Sequence, residues 1–349
     1  MAGTDTAVIR LSDLVHGQEA TCFAALVKKD RGVDKHGNPF IKCHFRDKRA
    51  SAVAPLWSDN ALRIEAENWA EGIAYRLRVR GDWKVRYGLQ LEIIEIRPTT
   101  EEDSADGFDF YDLVESTEYD PNNLMASIHD RIDRYVDDPY LKRLVRGILE
   151  EHGELFKKMP AAQSFHHSYT GGLLEHVWSM TRIATFVADH YRTYYQSLNP
   201  PLNRGLVIVA TILHDIGKLR ELDYHPVEAK YTKEGCLVGH VLMGRDLVRE
   251  TARKIEGFPE ETLLLLEHAI LAHHGRRDFG APIVPQTLEA LLVSYVDDLD
   301  AKMNIAARQR LSSTTDGDFT DKVFALDNRR LYKGIPREAP IDDELSELP

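Results

Sequence analysis

The sequence predicts an α+β protein of two domains, a small N-terminal β-barrel followed by a larger helical domain. The chain has 349 residues, which is enough for two domains of ordinary size. Apolar residues alternate with a period of two within residues 7–98, and from Leu124 onward they recur every three or four residues. Hydrophobic residues make up 43% and charged residues 29%, which is typical of a globular chain with a real core.

Composition and charge argue against several classes of protein. No apolar run approaches the roughly 18 residues of a membrane span, and the N-terminus lacks the pattern of a secretory signal, so we expect no membrane contact. The three cysteines are far apart and form no Cys-x-x-Cys pair, which favours a reducing cytoplasm over a disulfide framework or a thiolate zinc site. The net charge of −12 argues against a protein that coats nucleic acid generically. Residues 1–100, however, contain 16 Lys and Arg against 13 Asp and Glu, so the excess of basic residues lies in the N-terminal part.

Two strand-like runs define the faces of the predicted barrel. In residues 40–46 and 75–80 apolar residues alternate with basic ones, so each strand has a core face and a basic outer face. About five short strands, with a short helical piece near residues 61–69, suit a closed barrel of the OB type. Basic residues beside the rings of Trp83 and Tyr87 suit single-stranded nucleic acid, although a solvated strand face gives the same pattern. The basic residues are Lys42, His44, Arg46, Arg76, Arg78 and Arg80.

The chain after the barrel divides into three parts. Residues 99–122 are acidic and lack strong periodicity, and we predict a linker there. Residues 123–335 form the predicted all-α domain with its closing segment, and its apolar stretch at 319–334 suits a homo-oligomer contact. Residues 336–349 read as a disordered acidic tail. The helical periods cover 124–136, 140–149, 173–187, 206–216, 238–255, 262–271 and 288–303.

Histidine and aspartate residues occur on or at the ends of the predicted apolar helices. Buried ionisable groups are costly unless they are paired or bound to metal, so their convergence predicts a metal cluster. Imidazole and carboxylate ligands suit Mn, Fe, Co, Zn or Mg. A carboxylate can bridge two such ions, and two ions about 3.5–4 Å apart clamp a phosphoryl group and activate water. A single histidine of this kind could equally be a core residue. The residues are His176, His214, Asp215, His240, His273, His274 and Asp297.

This ordered set of residues resembles the HD superfamily of metal-dependent phosphohydrolases. The resemblance implies that His176, His214, Asp215 and Asp297 are the core metal ligands. It also implies that His240, with His273 or His274, completes the site of a second ion. Asp298 is the alternative to Asp297.

The resemblance extends to nearly the whole chain, at residues 7–335. The barrel motif GNPFIKCHFRD, the helical motifs FHHSYTGGLLEH, LHDIGK, HHG and DDLDAKMN, and the late segment FTDKVFALDNRRLYKG are similar to those of the YhaM-type 3′→5′ exoribonucleases. One departure is the missing glycine in RDKRASAVAPLW. The resemblance implies hydrolysis of single-stranded RNA, with single-stranded DNA as an alternative, to nucleoside 5′-monophosphates. It implies two divalent cations, with Mn²⁺ favoured over Co²⁺ or Fe²⁺.

Smaller roles follow from position near these motifs. Asp215 and Lys218 are the predicted catalytic pair, in which Lys218 neutralises a phosphate oxygen unless it is a solvated helix-end lysine. The side chains of His166, His167 and Tyr169 either contact the nucleotide or pack the loop before the first ligand. Arg276 either grips a phosphate or is a surface charge.

Three other functions fit parts of the pattern. An HD phosphohydrolase could act on a small nucleotide, but the segment after His274 lacks the Gly-Tyr-Pro of the cyclic-di-GMP enzymes, and such an enzyme has little use for a barrel. A similar set of His and Asp ligands supports di-iron oxygenases. A non-catalytic nucleic-acid-binding protein would have a decayed site, which the complete ligand set disfavours.

Overall fold

A computed structural model describes residues 8–48, 50–84, 88–109, 113–162, 167–224, 229–313, 315 and 317–335. His166, Tyr87 and the predicted tail at 336–349 lie outside the described residues. None of the helices in the described ranges combines the length and the hydropathy of a membrane span.

The first five strands are β1 (Glu19–Val33), β2 (Pro39–Arg46), β3 (Ser51–Leu56), β4 (Ala74–Lys84) and β5 (Gly88–Pro98). They close into a barrel in the order β1-β2-β3-β5-β4. Neighbouring strands run antiparallel except β3 and β5, which are parallel, and this is the arrangement of the OB fold. A four-residue helix, α1 (Arg63–Ala66), lies between β3 and β4.

The predicted alternation in β2 and β4 is confirmed. Ile41, Cys43 and Phe45 are buried, and the basic residues between them are half-buried on the outer face. In β4, Leu77 and Val79 are buried between arginines in the same way. One face of each of these strands is therefore buried in the barrel core, and the basic face points outward.

The acidic segment after the barrel packs against it. Its first turn is a 3-10 helix, Glu101–Asp106, in which Asp103 is 1% exposed. Both Arg76 and Arg97 donate hydrogen bonds to the Asp103 carboxylate, at 3.0 and 2.6 Å. These bonds hold part of the predicted linker on the barrel surface.

The second domain is helical, and the predicted α+β architecture is confirmed. The centre of its core is α5 (Arg204–Leu213), whose residues from Gly205 to Leu213 are buried and, apart from Thr211, apolar, as expected for a helix surrounded by others. A small hairpin of β6 (Leu222–Asp223) and β7 (Lys230–Tyr231) interrupts the helices. The helices are α2 (Pro121–Tyr135), α3 (Pro139–Phe156), α4 (Gly172–Tyr194), α5 (Arg204–Leu213), α6 (Lys218–Glu221), α7 (Lys233–Val238), α8 (His240–Ala252), α9 (Glu260–Ala272) and α10 (Leu288–Ser312).

Within the predicted helical segment at 238–255, α8 begins at His240 and ends at Ala252, because Gly239 separates it from α7. Gly239 has φ +80°, a conformation that favours glycine, so α7 ends at Val238 and α8 begins at His240. The break places His240 at the first position of α8, where its backbone N–H donates to Glu221 Oε1 at 2.9 Å. The break thus helps to orient His240.

Candidate metal centre

The predicted His and Asp residues come together at one place in the helical domain. His176 lies on α4 and Asp297 on α10, and the other five stand at the ends of α5, α8 and α9. The carboxylate of Asp215 is at the middle, with its oxygens 3.3 Å from His214 Nε2 and His240 Nε2 and 3.6 Å from His273 Nε2. Asp297 Oδ1 is 3.2 Å from His176 Nε2 and 3.8 Å from His214 Nε2.

Three imidazole rings of the centre point the same nitrogen, Nε2, toward Asp215. His214 Nδ1 donates to the carbonyl of Thr211 and His273 Nδ1 to that of Ile270, both at 2.7 Å. His240 Nδ1 bonds Glu221 Oε1 at 2.9 Å. With the proton on Nδ1, each ring turns the lone pair of Nε2 toward Asp215, which is the form in which neutral histidine binds metal.

Several atoms at this centre are buried and lack a hydrogen-bond partner within the described part of the chain: His214 Nε2, His240 Nε2, His273 Nε2, His274 Nδ1 and Asp215 Oδ1. Unsatisfied buried polar atoms are costly, so a cluster of them indicates a missing ligand. All of them are lone-pair donors of the types that suit divalent metals. These residues therefore fit a divalent cation, and they do not fit an anion.

Asp215 is an ionised carboxylate in a buried place. Burial would raise its pKa, but the positive charge of Lys218 and the neighbouring imidazoles lower it well below its usual range. Lys218 is 7% exposed, and its Nζ donates to Asp215 Oδ2 at 2.6 Å. The side chain of Lys218 therefore faces the centre, contrary to the alternative of a solvated helix-end lysine.

A second carboxylate, Asp300, supports the centre from behind, and the sequence reasoning missed it. Asp300 Oδ2 accepts from His176 Nδ1 at 2.8 Å, which leaves His176 Nε2 toward Asp297. Burial lowers the pKa of His176, but the two aspartates outweigh it and raise the pKa to about 9. Asp297 and Asp300 share a face of α10 because they are three residues apart, and this spacing was the signal available. Asp298, the alternative ligand, points away and bonds Lys302 at 2.7 Å.

Two glycines allow the close approaches that the centre needs. A Cβ at Gly217, in the LHDIGK motif, would lie 1.9 Å from the carbonyl oxygen of His240, so only glycine lets α6 meet α8 here. A Cβ at Gly172 would lie 2.0 Å from the carbonyl oxygen of His167. These contacts fix the His240 and His167 backbones relative to the ligand helices.

The other predicted residues of this domain lie at the edge of the centre. His167 is buried, with Nε2 3.1 Å from Asp300 Oδ2 and Nδ1 2.7 Å from the hydroxyl of Tyr169. Arg276 is exposed and stacks its guanidinium over the ring of Phe279.

The basic face of the barrel is largely neutralised by neighbouring carboxylates. Arg78 bonds Glu19 at 2.7 Å and Glu95 at 3.0 Å. Arg80 bonds Glu92 at 3.1 Å, and Arg76 bonds Asp103. His44 Nε2 lies 2.9 Å from Asp30, and Arg46 is half-buried. The period-two pattern could not reveal these partners, because they come from strands and turns elsewhere in the sequence.

Several aromatic rings of this barrel are exposed, whereas the arginines of β4 are paired with carboxylates. Trp57 is 46% exposed and packs on Phe40 with ring centroids 5.2 Å apart. The ammonium of Lys42 lies over the Phe40 ring at 5.3 Å. Trp83 is 49% exposed, with its indole N–H bonded to the carbonyl of Leu14. Phe40 and Trp57 were not among the predicted site residues.

The comparison with family models agrees with the helical domain and its centre. A family model described as the HD domain matches residues 173–302, which contain all seven predicted ligands. A second family model, with the description "Putative helicase", matches residues 116–219. A domain of replication protein A from Methanococcus maripaludis is 15% identical, covering 26% of this chain and 93% of that chain with a TM-score of 0.22.

The barrel, the helices and the converging ligands define an HD-type phosphohydrolase joined to an OB-fold domain. The chain is 33% identical over 321 residues to the 3′-5′ exoribonuclease YhaM of Bacillus subtilis, covering 91% of this chain and 95% of the relative. It is also 33% identical over 323 residues to the protein of the same name from Bacillus pumilus, with 91% and 95% covered. The chain therefore belongs to the YhaM exoribonuclease family, as its motifs predicted, and it is a hydrolase.

Proposed function

We propose that the chain is a metal-dependent exonuclease that removes nucleotides from the 3′ end of single-stranded RNA and releases nucleoside 5′-monophosphates. The observation that carries the proposal is the set of buried Nε2 atoms that face the ionised Asp215 and have no hydrogen-bond partner among the described residues. The names of the relatives support RNA as the substrate and the 3′ end as the starting point.

The predicted ligands would form two sets, each for one cation, and Asp215 would belong to both sets. His176, His214, Asp215 and Asp297 would hold one, and Asp215 with His240, His273 and His274 would hold the other. Two divalent cations, for which we favour Mn²⁺, would supply positive charge and a water of lowered pKa.

The remaining residues of the centre position these groups and balance charge. The Lys218 ammonium at 2.6 Å holds one Asp215 oxygen and would neutralise charge that builds on the phosphoryl oxygens. Asp300 and Glu221 fix the rings of His176 and His240. Arg276 stands on an exposed turn after His274, where it could meet a phosphate without losing a strong partner.

We assign RNA binding to residues 1–98 and hydrolysis to residues 123–335, with 99–122 between them. On the barrel we favour the surface of Lys42, Phe40 and Trp57, because exposed rings stack on bases and the ammonium can reach a phosphate. Trp83 would extend this surface. We leave Arg76, Arg78 and Arg80 out, since their donors already bond carboxylates. A cytoplasmic location and self-association through residues 319–334 stay predictions.

The proposal is tested with 5′-labelled single-stranded RNA, with Mn²⁺ or with EDTA. We expect a ladder that shortens from the 3′ end only with metal, and no ladder for Asp215→Asn. Asp298→Asn is the matched control, because this exposed aspartate on α10 bonds only Lys302 among the described residues. A single-stranded DNA of the same sequence measures the preference for RNA.

Two results would contradict the proposal. If the RNA stays intact with each of Mn²⁺, Co²⁺, Fe²⁺ and Mg²⁺, the proposed exonuclease activity is excluded. If small nucleotides were then hydrolysed, the chain would be a phosphohydrolase of small substrates, and oxygen consumption with bound iron would indicate an oxygenase.

A further inference from the structure

A cleft of about 810 Å³ opens where the barrel meets the helical domain. Arg10 and Lys48 line it from the barrel side, and Tyr169, Asn304 and Arg308 line it from the helical side. Its volume lies within the range of ordinary ligand sites. No residue of this cleft is among the metal ligands proposed above.

Arg308 is held rigidly in this cleft and keeps an unused donor. Its Nη2 lies 2.7 and 2.8 Å from the two carboxylate oxygens of Glu115, and its guanidinium carbon lies 5.2 Å from the ring centroid of Tyr169. Its Nη1 is buried and has no hydrogen-bond partner in the part of the chain that the structure describes. A fixed guanidinium with a spare N–H is well suited to a phosphate oxygen.

The cleft is connected to the metal centre along one face of α10. Asp297, Asp300, Asn304 and Arg308 are spaced by three or four residues and therefore lie in a row. The row spans 11 residues, or about 16 Å of helix. Asn304 Oδ1 accepts from the backbone N–H of His167 at 2.9 Å, which joins this face to the loop before α4.

We propose that this cleft is the passage for the RNA strand on the 5′ side of the scissile bond, and that Arg308 binds a backbone phosphate there. The inference rests on the proposed function. If the terminal nucleotide is removed at the centre, the rest of the strand must leave toward the barrel, and the cleft is where the two domains meet.

The lining suits nucleotides better than a bare polyanion. Besides its cations, and apart from Glu115 that is paired with Arg308, the cleft contains the carboxylates of Asp47, Glu118 and Glu175. A carboxylate repels phosphate but accepts hydrogen bonds from ribose hydroxyls and base amino groups. At a stacked rise of about 3.4 Å per nucleotide, the 16 Å to Arg308 corresponds to about five nucleotides, and an extended strand covers it with fewer.

The test compares a long and a short substrate in the full-length protein. The long one is single-stranded RNA of about 12 nucleotides, which reaches Arg308 by that rise. The short one is bis(p-nitrophenyl) phosphate, which can occupy only the centre. For Arg308→Met we expect KM for the RNA to rise about tenfold, as for a lost bond to a charged group, with kcat unchanged. Hydrolysis of the short substrate stays the same.

Two further variants separate binding from folding. Arg134→Met removes an exposed arginine of α2 that bonds Asp130, and it should change nothing. Glu115→Gln breaks the same ion pair as Arg308→Met but leaves the guanidinium, so KM for RNA should stay the same or fall. An equal rise of KM in Glu115→Gln, or an equal loss on both substrates, would show a structural role for Arg308 and overturn the inference.

An unchanged KM for RNA in Arg308→Met would also overturn it. Failure of the proposed function looks different, because wild-type protein would then leave the RNA intact while it hydrolyses the short substrate.

Discussion

The metal centre and the basic face of the barrel differ in how their polar atoms are used. At the centre the inner nitrogens of His214, His240 and His273 are buried without a hydrogen-bond partner in the described residues. On the barrel, Arg76 and Arg78 have carboxylate partners within 3.0 Å. Both regions stood out in the sequence by their residue types, but the buried atoms without a partner gather around one point only at the centre, as far as the described residues show.

The difference shows that a pattern of residue types predicts which face of an element a residue occupies. A binding site is indicated only by polar atoms that have no partner within the protein. A buried nitrogen without a partner costs free energy that a bound ion would recover. All three guanidinium nitrogens of Arg78 bond glutamates, so this arginine must break a pair before it can bind phosphate, and it adds little affinity. The variants below test this contrast.

Asp215→Asn should have the largest effect. The amide cannot replace the ionised carboxylate, whose Oδ2 faces His214 and Lys218 and whose Oδ1 faces His240 and His273. We therefore expect RNA hydrolysis to fall at least about a thousandfold. Initial rates with saturating Mn²⁺ measure it, with Asp298→Asn as the control. Activity within tenfold of wild type would mean that Asp215 is not at the reacting centre.

Asp300→Asn should weaken metal binding without removing a ligand. Asp300 orients His176 through the bond to Nδ1, and loss of such a partner costs about 10–100-fold in metal affinity. Calorimetric titration of metal-free protein with Mn²⁺ gives this number directly. An affinity equal to that of Asp298→Asn would assign Asp300 to packing alone.

Asp103→Asn should affect stability and spare function. Hydrogen bonds from Arg97, the Thr100 backbone and Arg76 lower the pKa of Asp103, although burial opposes this, so its contribution is present above about pH 4 and is lost as the pH falls. We expect the amide to reduce the opening free energy of β4 by about 2 kcal/mol at pH 7. Hydrogen exchange of β4 amides measures it.

Glu101→Gln, an exposed change in the same turn, is the control for that experiment. RNA affinity should be unchanged in both variants. Weaker RNA binding by Asp103→Asn at neutral pH, with β4 intact, would mean that the paired arginines also bind the substrate.

Trp57→Ala and Arg78→Met should separate stacking from charge on the barrel. Loss of one stacked base costs about 1–3 kcal/mol, so Trp57→Ala should weaken RNA binding by about tenfold or more. Arg78→Met should change it by less than about twofold, because its charge is already paired. Fluorescence anisotropy in the Asp215→Asn background avoids hydrolysis. The reverse order of the two effects would restore Arg78 to the interface.

Much of this arrangement followed from sequence, and the exceptions have physical reasons. The apolar periods predicted both domains, and seven His and Asp positions predicted a convergence that the structure brings together. Asp300 was missed because only the adjacent residues Asp297 and Asp298 were considered as the last ligand. Helical geometry instead puts residues 297 and 300 on one face. Glu221 and the partners of the arginines gave no signal, since each reaches its partner through tertiary contacts. The positive φ of Gly239 also has no periodic signature.

Anomalous diffraction from crystals grown with Mn²⁺ would test the central claim most directly. The account predicts two peaks that share Asp215, one beside His176, His214 and Asp297 and the other beside His240 and His273. No peak at Asp215, or a single ion held by His167, His176 and Asp300 instead, would contradict it.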